Sequence, residues 1–497
     1  MTHKGQNNKI IFGLKVRQLR NERNLSFAEL AERAHMSVSY LNEIEKGKKY
    51  PKEEKIKALA EALQTTPQYL VSEDMPLSLA PIETLLQSNF LNELPLDLFG
   101  IDLSKVVEII ANAPMRVGAF ISTLVELSRS YALREENFYF AALRSYLELN
   151  NNYFEEIEET VKQFAKQHKI PTGYAVPADY LGSVLEKKFG YKIIDNGLEQ
   201  YPDLKHIRAV FVPKSKELLL SSNLNALQKS FQYGKELGFH ALGLKERAYT
   251  SSLLQVKTFD EALNHFKAGY FSAALLMNRE AFTKDIDTFL KLEQWDNGAF
   301  LSKLMDKYQA TPEMLFQRMT NVLPRFFGIS KIFFLRFIHH IKTDKFDINK
   351  EMHLHRRHQP HGNGLDEHYC RRWVSITLLQ DFQHLQKGEN TEGVPNVMIG
   401  AQRSNFYSTN DEYLCLTMVH PDGKRNVSVT LGILIDADTK SKIRFLNDVS
   451  IATREVSITC ERCGVMDCAE RAVEPSVIQK KEQRQRVNEA LKNILDN

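Results

Sequence analysis

Residues 10–70 repeat apolar side chains every three or four positions, which is the spacing of amphipathic helices. Ser26 and Glu29 have the spacing of a capping box, in which each side chain accepts the other residue's backbone N–H at the start of a helix. The region therefore predicts five short helices, and the first presents the apolar ladder Phe12, Leu14, Val16 and Leu19.

The third predicted helix, residues 37–46, has one apolar and one polar face. Its spacing places Val38, Leu41 and Ile44 inward, and Gly47 permits the positive φ that often ends a helix. A polar outer face is what a recognition helix needs in the DNA major groove. We therefore expect DNA contacts from this face and the lysines that follow it, namely Ser37, Ser39, Tyr40, Asn42, Glu43, Lys46, Lys48 and Lys49.

The stretch LRNERNLSFAELAERAHMSVSYLNEIEKGKKYP resembles the phage-repressor-type (Xre) family of DNA-binding domains along its whole length. The resemblance implies a helix-turn-helix domain that binds a double-stranded DNA operator. Phe27 stands where the family often has Gln, so we do not expect it to contact DNA. A helical protein-interaction module of the same fold is the alternative.

Charge is distributed unevenly along the 497 residues, whose net charge is +3. Residues 1–72 hold 13 Lys and Arg against 8 Asp and Glu, which gives +5 and leaves −2 for the remainder. The basic excess coincides with the predicted DNA-binding domain, where it would neutralise phosphates. We find no apolar run of membrane-spanning length and no signal-peptide core, and therefore expect a cytoplasmic protein.

The remaining pattern predicts a multidomain α+β fold of at least three domains. Strands are expected at 191–194, 207–213, 217–221, 332–338, 374–379, 413–419 and 427–435, among helices such as 224–242 and 260–277. The predicted domains are a helix-turn-helix at 1–72, a helical linker and dimerisation segment at 73–167, a zincin-like α+β domain at 168–280, a helical subdomain at 281–330, a mixed α/β sensor domain at 331–475 and a terminal helix at 476–497. Because helix-turn-helix proteins commonly read paired half-sites, we expect a homodimer or higher homo-oligomer.

Two predicted strands are followed by a helix that contains KELGFH and by a helix that contains FSAALLMN. This order of elements and motifs resembles the ImmA/IrrE family of zinc peptidase domains. In that family an H-E-x-x-H helix supplies two zinc ligands and a general base, and the second helix supplies a third ligand. The corresponding residues here are Lys235, Glu236, Phe239 and Lys267, so only the general-base carboxylate remains. Ammonium groups do not coordinate zinc, and we expect no peptidase activity.

Two lysines in a former metal groove would favour an anionic ligand, although a scaffold with solvated lysines is equally compatible with the pattern. The predicted ligand-binding residues are Arg208, Lys235, Phe239, Lys267 and Tyr270, together with Arg356 and Arg357 from a His- and Arg-rich loop.

Four of the five cysteines form a plausible ligand set: Cys370, Cys460, Cys463 and Cys468. The last three have the spacing C-x2-C-x4-C, and spacing alone is compatible with a [4Fe-4S] cluster, a zinc site or unligated thiols. Cys415 alternates with apolar residues on a predicted strand and is interpreted as a core residue.

The ordered combination of these parts, with the motifs QPHGNGLDEHYCRRW and CERC followed by a third cysteine, resembles bacterial short-chain acyl-CoA regulators of propionate-type metabolism. The resemblance implies a transcription regulator, not an enzyme, with acyl-CoA as effector and a [4Fe-4S] cluster on the four cysteines. The alternatives are a redox-sensing iron–sulfur regulator and an ImmA-like regulatory metalloprotease.

Overall fold

The computed structural model describes residues 3–72, 135–251, 256, 258–340, 343–354, 367–387, 394–407, 409, 411–422 and 425–495. The chain divides into two compact units, Met1–Tyr146 with Gln255–Phe259 and Leu147–Leu254 with Asp260–Asn497. The division between Tyr146 and Leu147 falls within the predicted helical segment 73–167. A search of the described helices found none with the length and apolarity needed to span a membrane.

Five helices fold at the start of the chain, as the periodicity predicts: α1 (His3–Glu22), α2 (Phe27–Arg33), α3 (Val38–Glu45), α4 (Glu53–Ala62) and α5 (Pro67–Val71). The capping box at Ser26 and Glu29 is present at the start of α2. The predicted ladder of α1 is buried in full. Gly47 adopts φ 67° and turns the chain after α3.

A buried ion pair fixes the recognition helix to α1. The Arg20 guanidinium donates to both carboxylate oxygens of Glu45, at 2.7 and 2.9 Å. At Gly13 a Cβ would lie 2.2 Å from the carbonyl oxygen of Ile44, so α1 approaches the end of α3 more closely than a side chain would allow. Phe27 packs under Arg20, whose guanidinium carbon is 4.2 Å from the ring centroid. This packing is consistent with leaving Phe27 out of the DNA-contact set.

The second unit begins within α6 (Glu135–Leu149) and continues through α7 (Glu155–Gln167) and α8 (Ala178–Val184). A three-stranded sheet follows, in the order β1 (Lys192–Ile194), β3 (Glu217–Leu220), β2 (Ala209–Val212), with β1 parallel and β2 antiparallel to β3. The two helices predicted next form as α9 (Ala226–Ala241) and α10 (Phe259–Leu276), and then come α11 (Arg279–Leu290), α12 (Ala299–Tyr308) and α13 (Pro312–Phe327).

The last large element is a six-stranded sheet in the order β5-β4-β8-β7-β6-β9. Its strands are β4 (Ile332–His340), β5 (Lys345–His353), β6 (Met398–Phe406), β7 (Glu412–Asp422), β8 (Arg425–Leu434) and β9 (Ala452–Val456). Helix α14 (Val374–Lys387) packs on this sheet. After α15 (Ala437–Lys442), the chain closes with α16 (Ser476–Leu495), a helix with no buried residue.

The strand predicted at 374–379 is wrong, because these residues begin α14. Val374, Ile376, Leu379 and Phe382 are buried on the side of α14 that faces the sheet. The β-branched residues at the start of the segment favoured a strand, whereas the spacing from Ile376 through Phe382 is that of a helix.

Candidate functional site

The outer face of α3 carries the predicted DNA-contact residues. Ser37 and Ser39 are exposed, Tyr40, Asn42 and Glu43 are partly exposed, and Leu41 and Ile44 point into the core as predicted. The hydroxyl of Ser37 accepts the backbone N–H of Tyr40 at 3.2 Å, so this side chain caps the helix.

The lysines after α3 lie at the end of the same surface. Lys48 and Lys49 are exposed and Lys46 is partly exposed. The Lys49 ammonium lies 2.8 Å from a carboxylate oxygen of Glu43 and 5.7 Å from the ring centroid of Tyr40. These contacts hold a cation at the edge of the recognition face, where a DNA phosphate would lie.

Val38 does not point into the core, so this prediction is wrong. Its side chain is the first of α3 and remains 48% exposed. The packing of α1 and α2 covers Leu41 and Ile44, one and two turns further on, and leaves the first turn open.

The helix that contains KELGFH is α9, and its Lys235 is buried. The ammonium donates to the carbonyl oxygen of Ser251 at 3.0 Å and lies 2.9 Å from Nε2 of His265 on α10. Burial lowers the pKa of Lys235 to about 7, and the charges of Arg247 and Lys350 act in the same direction. The amine of Lys235 is thus hydrogen-bonded to a carbonyl and to an imidazole.

Glu236, the residue expected to correspond to a general base, is paired with Arg247. The guanidinium donates to both carboxylate oxygens, at 2.7 and 2.8 Å, and the hydroxyl of Tyr191 donates at 2.9 Å. Phe239 is buried beneath the same guanidinium, whose carbon lies 3.8 Å from the ring centroid. Both carboxylate oxygens of Glu236 are thus engaged by donors from the same unit.

The structure does not join Lys267 and Tyr270 to Lys235. Tyr270 is buried, and its hydroxyl donates to Glu158 at 2.8 Å. Lys267 is partly exposed, and the α10 residue that meets Lys235 is His265, two positions earlier. Two residues turn a helix by about 200°, so the inferred third-ligand position fell on another face.

Arg208 reaches the C-terminal sheet: its guanidinium lies 3.7 Å from Asp422 of β7. Arg336 of β4 pairs with the same carboxylate at 2.5 Å and with Glu313 of α13 at 3.4 Å. Lys350 of β5 pairs with Glu313 at 2.8 Å. Despite burial, Lys350 and Arg336 lower the pKa of Glu313 to about 2.

These contacts define a cationic seam between the peptidase-like domain and the six-stranded sheet. Within the peptidase-like domain, Ser251 connects Arg208 and Lys235: its hydroxyl accepts the backbone N–H of Arg208, and its carbonyl oxygen accepts from the Lys235 ammonium. The seam comprises five cations and three carboxylates: Arg208, Lys235, Arg247, Arg336, Lys350, Glu236, Glu313 and Asp422. Arg356 and Arg357, also predicted to bind ligand, lie outside the described residues.

The four predicted cysteine ligands line one pocket, together with Arg371 and Arg471. An isolated bridge between Tyr369 and Thr459 brings Cys370 to the later cysteines, and the Cys460 N–H donates to the carbonyl of His368 at 2.8 Å. Burial, together with the nearby Cys460 and Cys463 thiols, raises the pKa of the Cys370 thiol to about 11.

The thiols converge without completing a ligand set. Among the described residues, no three His, Cys, Asp or Glu side chains are grouped closely enough to hold a metal ion. The donor chemistry of the pocket, four thiols around one space, still suits a cluster or zinc. Cys415 is a buried core residue of β7, as predicted.

Sequence reasoning missed His265, Arg247 and Lys350. His265 and Arg247 contact α9, and Lys350 acts on Lys235 through its charge, only because the tertiary structure brings these residues together. A lone histidine two positions from the inferred ligand was the one available signal.

Two family models match the chain: Helix-turn-helix over residues 16–70 and IrrE N-terminal-like domain over residues 186–320. A comparison with curated proteins gave no match. Among solved structures, a Mycobacterium tuberculosis transcriptional regulator is 17% identical, with 67% of this chain and 93% of that chain covered and a TM-score of 0.46. That similarity is too low to support a functional conclusion. The family matches and the fold identify a multidomain α+β protein that joins a helix-turn-helix DNA-binding domain to an IrrE N-terminal-like domain, the composition of a DNA-binding transcription regulator.

Proposed function

We propose that this protein is a homo-oligomeric regulator of short-chain fatty acid metabolism whose operator binding responds to short-chain acyl-CoA. The observation that carries the proposal is the buried ammonium of Lys235 at a former zinc-ligand position, inside the cationic seam. Coenzyme A carries several phosphate charges, and a receptor for it needs cations that are not fully neutralised.

The peptidase-like fold acts here as a binding scaffold and not as a catalyst. Lys235 and Phe239 cannot supply the two zinc ligands, and Arg247 occupies both oxygens of Glu236. The same substitutions that remove the metal site leave more positive than negative charge in the seam. An anionic effector bound there would contact both the peptidase-like domain and the sheet. It would then bind one relative arrangement of these two parts more tightly than another, as coupling to DNA affinity requires.

Calorimetry with propionyl-CoA, acetyl-CoA and free propionate tests this function. We expect binding of the thioesters and none of the free acid. Lys235→Met removes the buried charge without adding another, and should weaken thioester binding at least tenfold. Lys229→Met is the matched control, because Lys229 lies on the same helix and pairs with Asp195. Equal binding by wild type and Lys235→Met would place the effector elsewhere.

We further propose that Cys370, Cys460, Cys463 and Cys468 hold a [4Fe-4S] cluster; their convergence on one pocket supports this. Protein purified without oxygen should be brown and contain iron and sulfide. Cys463→Ser should abolish both, and Cys415→Ser, a change in the core, should abolish neither. One zinc and no iron per chain would replace the cluster with a four-cysteine zinc site.

The same pocket favours a second candidate function, in which the cluster itself is the signal. Operator binding by cluster-loaded and cluster-free protein, each with and without propionyl-CoA, separates the two. A response to the thioester in both forms supports acyl-CoA sensing. A response to cluster loading alone supports redox sensing.

A further inference from the structure

Val38 is an exposed apolar residue on a surface that otherwise presents polar groups. It remains 48% exposed between the exposed hydroxyls of Ser37 and Ser39. Asn42 follows four residues later, and residues at this spacing lie side by side on a helix. The first turn of α3 therefore presents a β-branched hydrocarbon next to a carboxamide.

Base edges in the major groove offer this pair two complementary groups. The thymine C5-methyl is the apolar group exposed there, and Thr, Ala and aromatic side chains recognise it by contact. The carboxamide of Asn pairs with N6 and N7 of adenine. Recognition helices place their N-terminal residues against base edges, and Val38 is the first residue of α3.

We propose that Val38 is a specificity-determining residue that reads the methyl group of a thymine in the operator, beside an adenine read by Asn42. The inference rests on DNA binding through α3. Burial of Val38 against a methyl group would remove apolar surface from water on both partners, whereas cytosine, which lacks the methyl, would leave the side chain facing a polar edge.

Duplexes selected from a random pool by the full-length protein provide the probe. Each thymine of a selected duplex is then replaced singly by deoxyuridine, which deletes the methyl and leaves the hydrogen-bonding groups unchanged. Wild type should bind about fourfold more weakly at one such position in each half-site, the factor expected for one buried methyl-sized group. Val38→Ser should bind the thymine and uracil duplexes equally, and Val38→Ala, which keeps only the β-carbon, should retain at most a small part of the preference.

Val71→Ala is the matched control, because Val71 is a half-exposed valine of the same domain, on α5. It should retain the wild-type preference for thymine. A preference that survives in both Val38→Ala and Val38→Ser, or no sensitive thymine in wild type, overturns the assignment to Val38 alone. Failure to enrich any duplex overturns base reading by α3 and the Val38 assignment together.

Discussion

Two buried glutamates of the second unit have hydrogen-bond partners of the same chemical types but different surroundings. Glu158 accepts two bonds from Arg318, at 2.6 and 3.0 Å, and one from the hydroxyl of Tyr270. Glu236 accepts two bonds from Arg247 and one from Tyr191. Each site is thus one carboxylate, one bidentate guanidinium and one phenol.

The two sites differ in whether every hydrogen-bond donor of the arginine has an acceptor. Arg318 has no exposed side-chain surface, and its Nε donates to the carbonyl of Met277 at 3.0 Å. At the other site, Nε of Arg247 is buried without a hydrogen-bond partner among the described residues, and Lys235 adds a further cation. The first arrangement is closed, whereas the second leaves one donor unsatisfied and has a second basic side chain beside it.

Removing the guanidinium of the closed site should have the largest effect on stability. Arg318→Met leaves Glu158 buried without its counterion, and should lower the free energy of unfolding by about 3–5 kcal/mol. Tryptophan fluorescence during urea unfolding measures this, because both tryptophans, Trp295 and Trp373, lie in the second unit.

Arg325→Met controls for the loss of an arginine from the same helix. Its guanidinium is 59% exposed and lies 3.9 Å from Glu155, so the change should stay within about 0.5 kcal/mol. Similar losses from Arg318→Met and Arg325→Met would mean that the Glu158 site does not stabilise the unit.

Arg247→Met should cost less, about 1–3 kcal/mol by the same measurement. Glu236 would keep the hydroxyl of Tyr191, and the ammonium of Lys235 would still offset its charge. A loss as large as that of Arg318→Met would erase the distinction between the two sites.

The smallest expected effect is the pH dependence that Lys235 contributes to the free energy of unfolding. With its pKa lowered to about 7, the folded protein loses this proton between pH 7 and 8 while the unfolded chain keeps it, so stability rises with pH. Over that interval the difference in unfolding free energy between wild type and Lys235→Met should change by about 1 kcal/mol in favour of wild type.

Lys235 also interacts with His265, Glu236, Arg247 and Lys350. The unfolding free energies are therefore compared only between proteins that keep these four residues. Lys229→Met should follow wild type across the same pH range, because this lysine is paired near the surface. A constant difference between wild type and Lys235→Met would show that the lysine does not titrate in this range.

The sequence predicted what depends on local periodicity and caps. The five helices, the capping box of Ser26 and the inward positions of Leu41 and Ile44 follow from spacing along one helix. Val38 has the same spacing, and its exposure depends on where α1 and α2 stop covering α3. Burial at a helix end is therefore set by neighbouring elements and not by periodicity.

Contacts between distant segments of the chain were harder to predict from the sequence. Glu158 and Arg318 are 160 residues apart, and His265 replaces Lys267 opposite Lys235 through a rotation that the motif alone does not determine. The sequence grouped Cys370 with the C-x2-C-x4-C segment as one plausible ligand set, and the structure brings them to one pocket through the Tyr369–Thr459 bridge.

A lysine of the first helix determines where a functional DNA-binding fragment can be cut. The ammonium of Lys15, on α1, donates to the carbonyls of Tyr69 and Ser72 and to the hydroxyl of Ser72, at 2.9, 2.7 and 2.9 Å. The family match ends at residue 70, but a fragment cut there would lose both acceptors on Ser72 and weaken the anchoring of α5 to α1. An isolated DNA-binding fragment should therefore extend through Ser72.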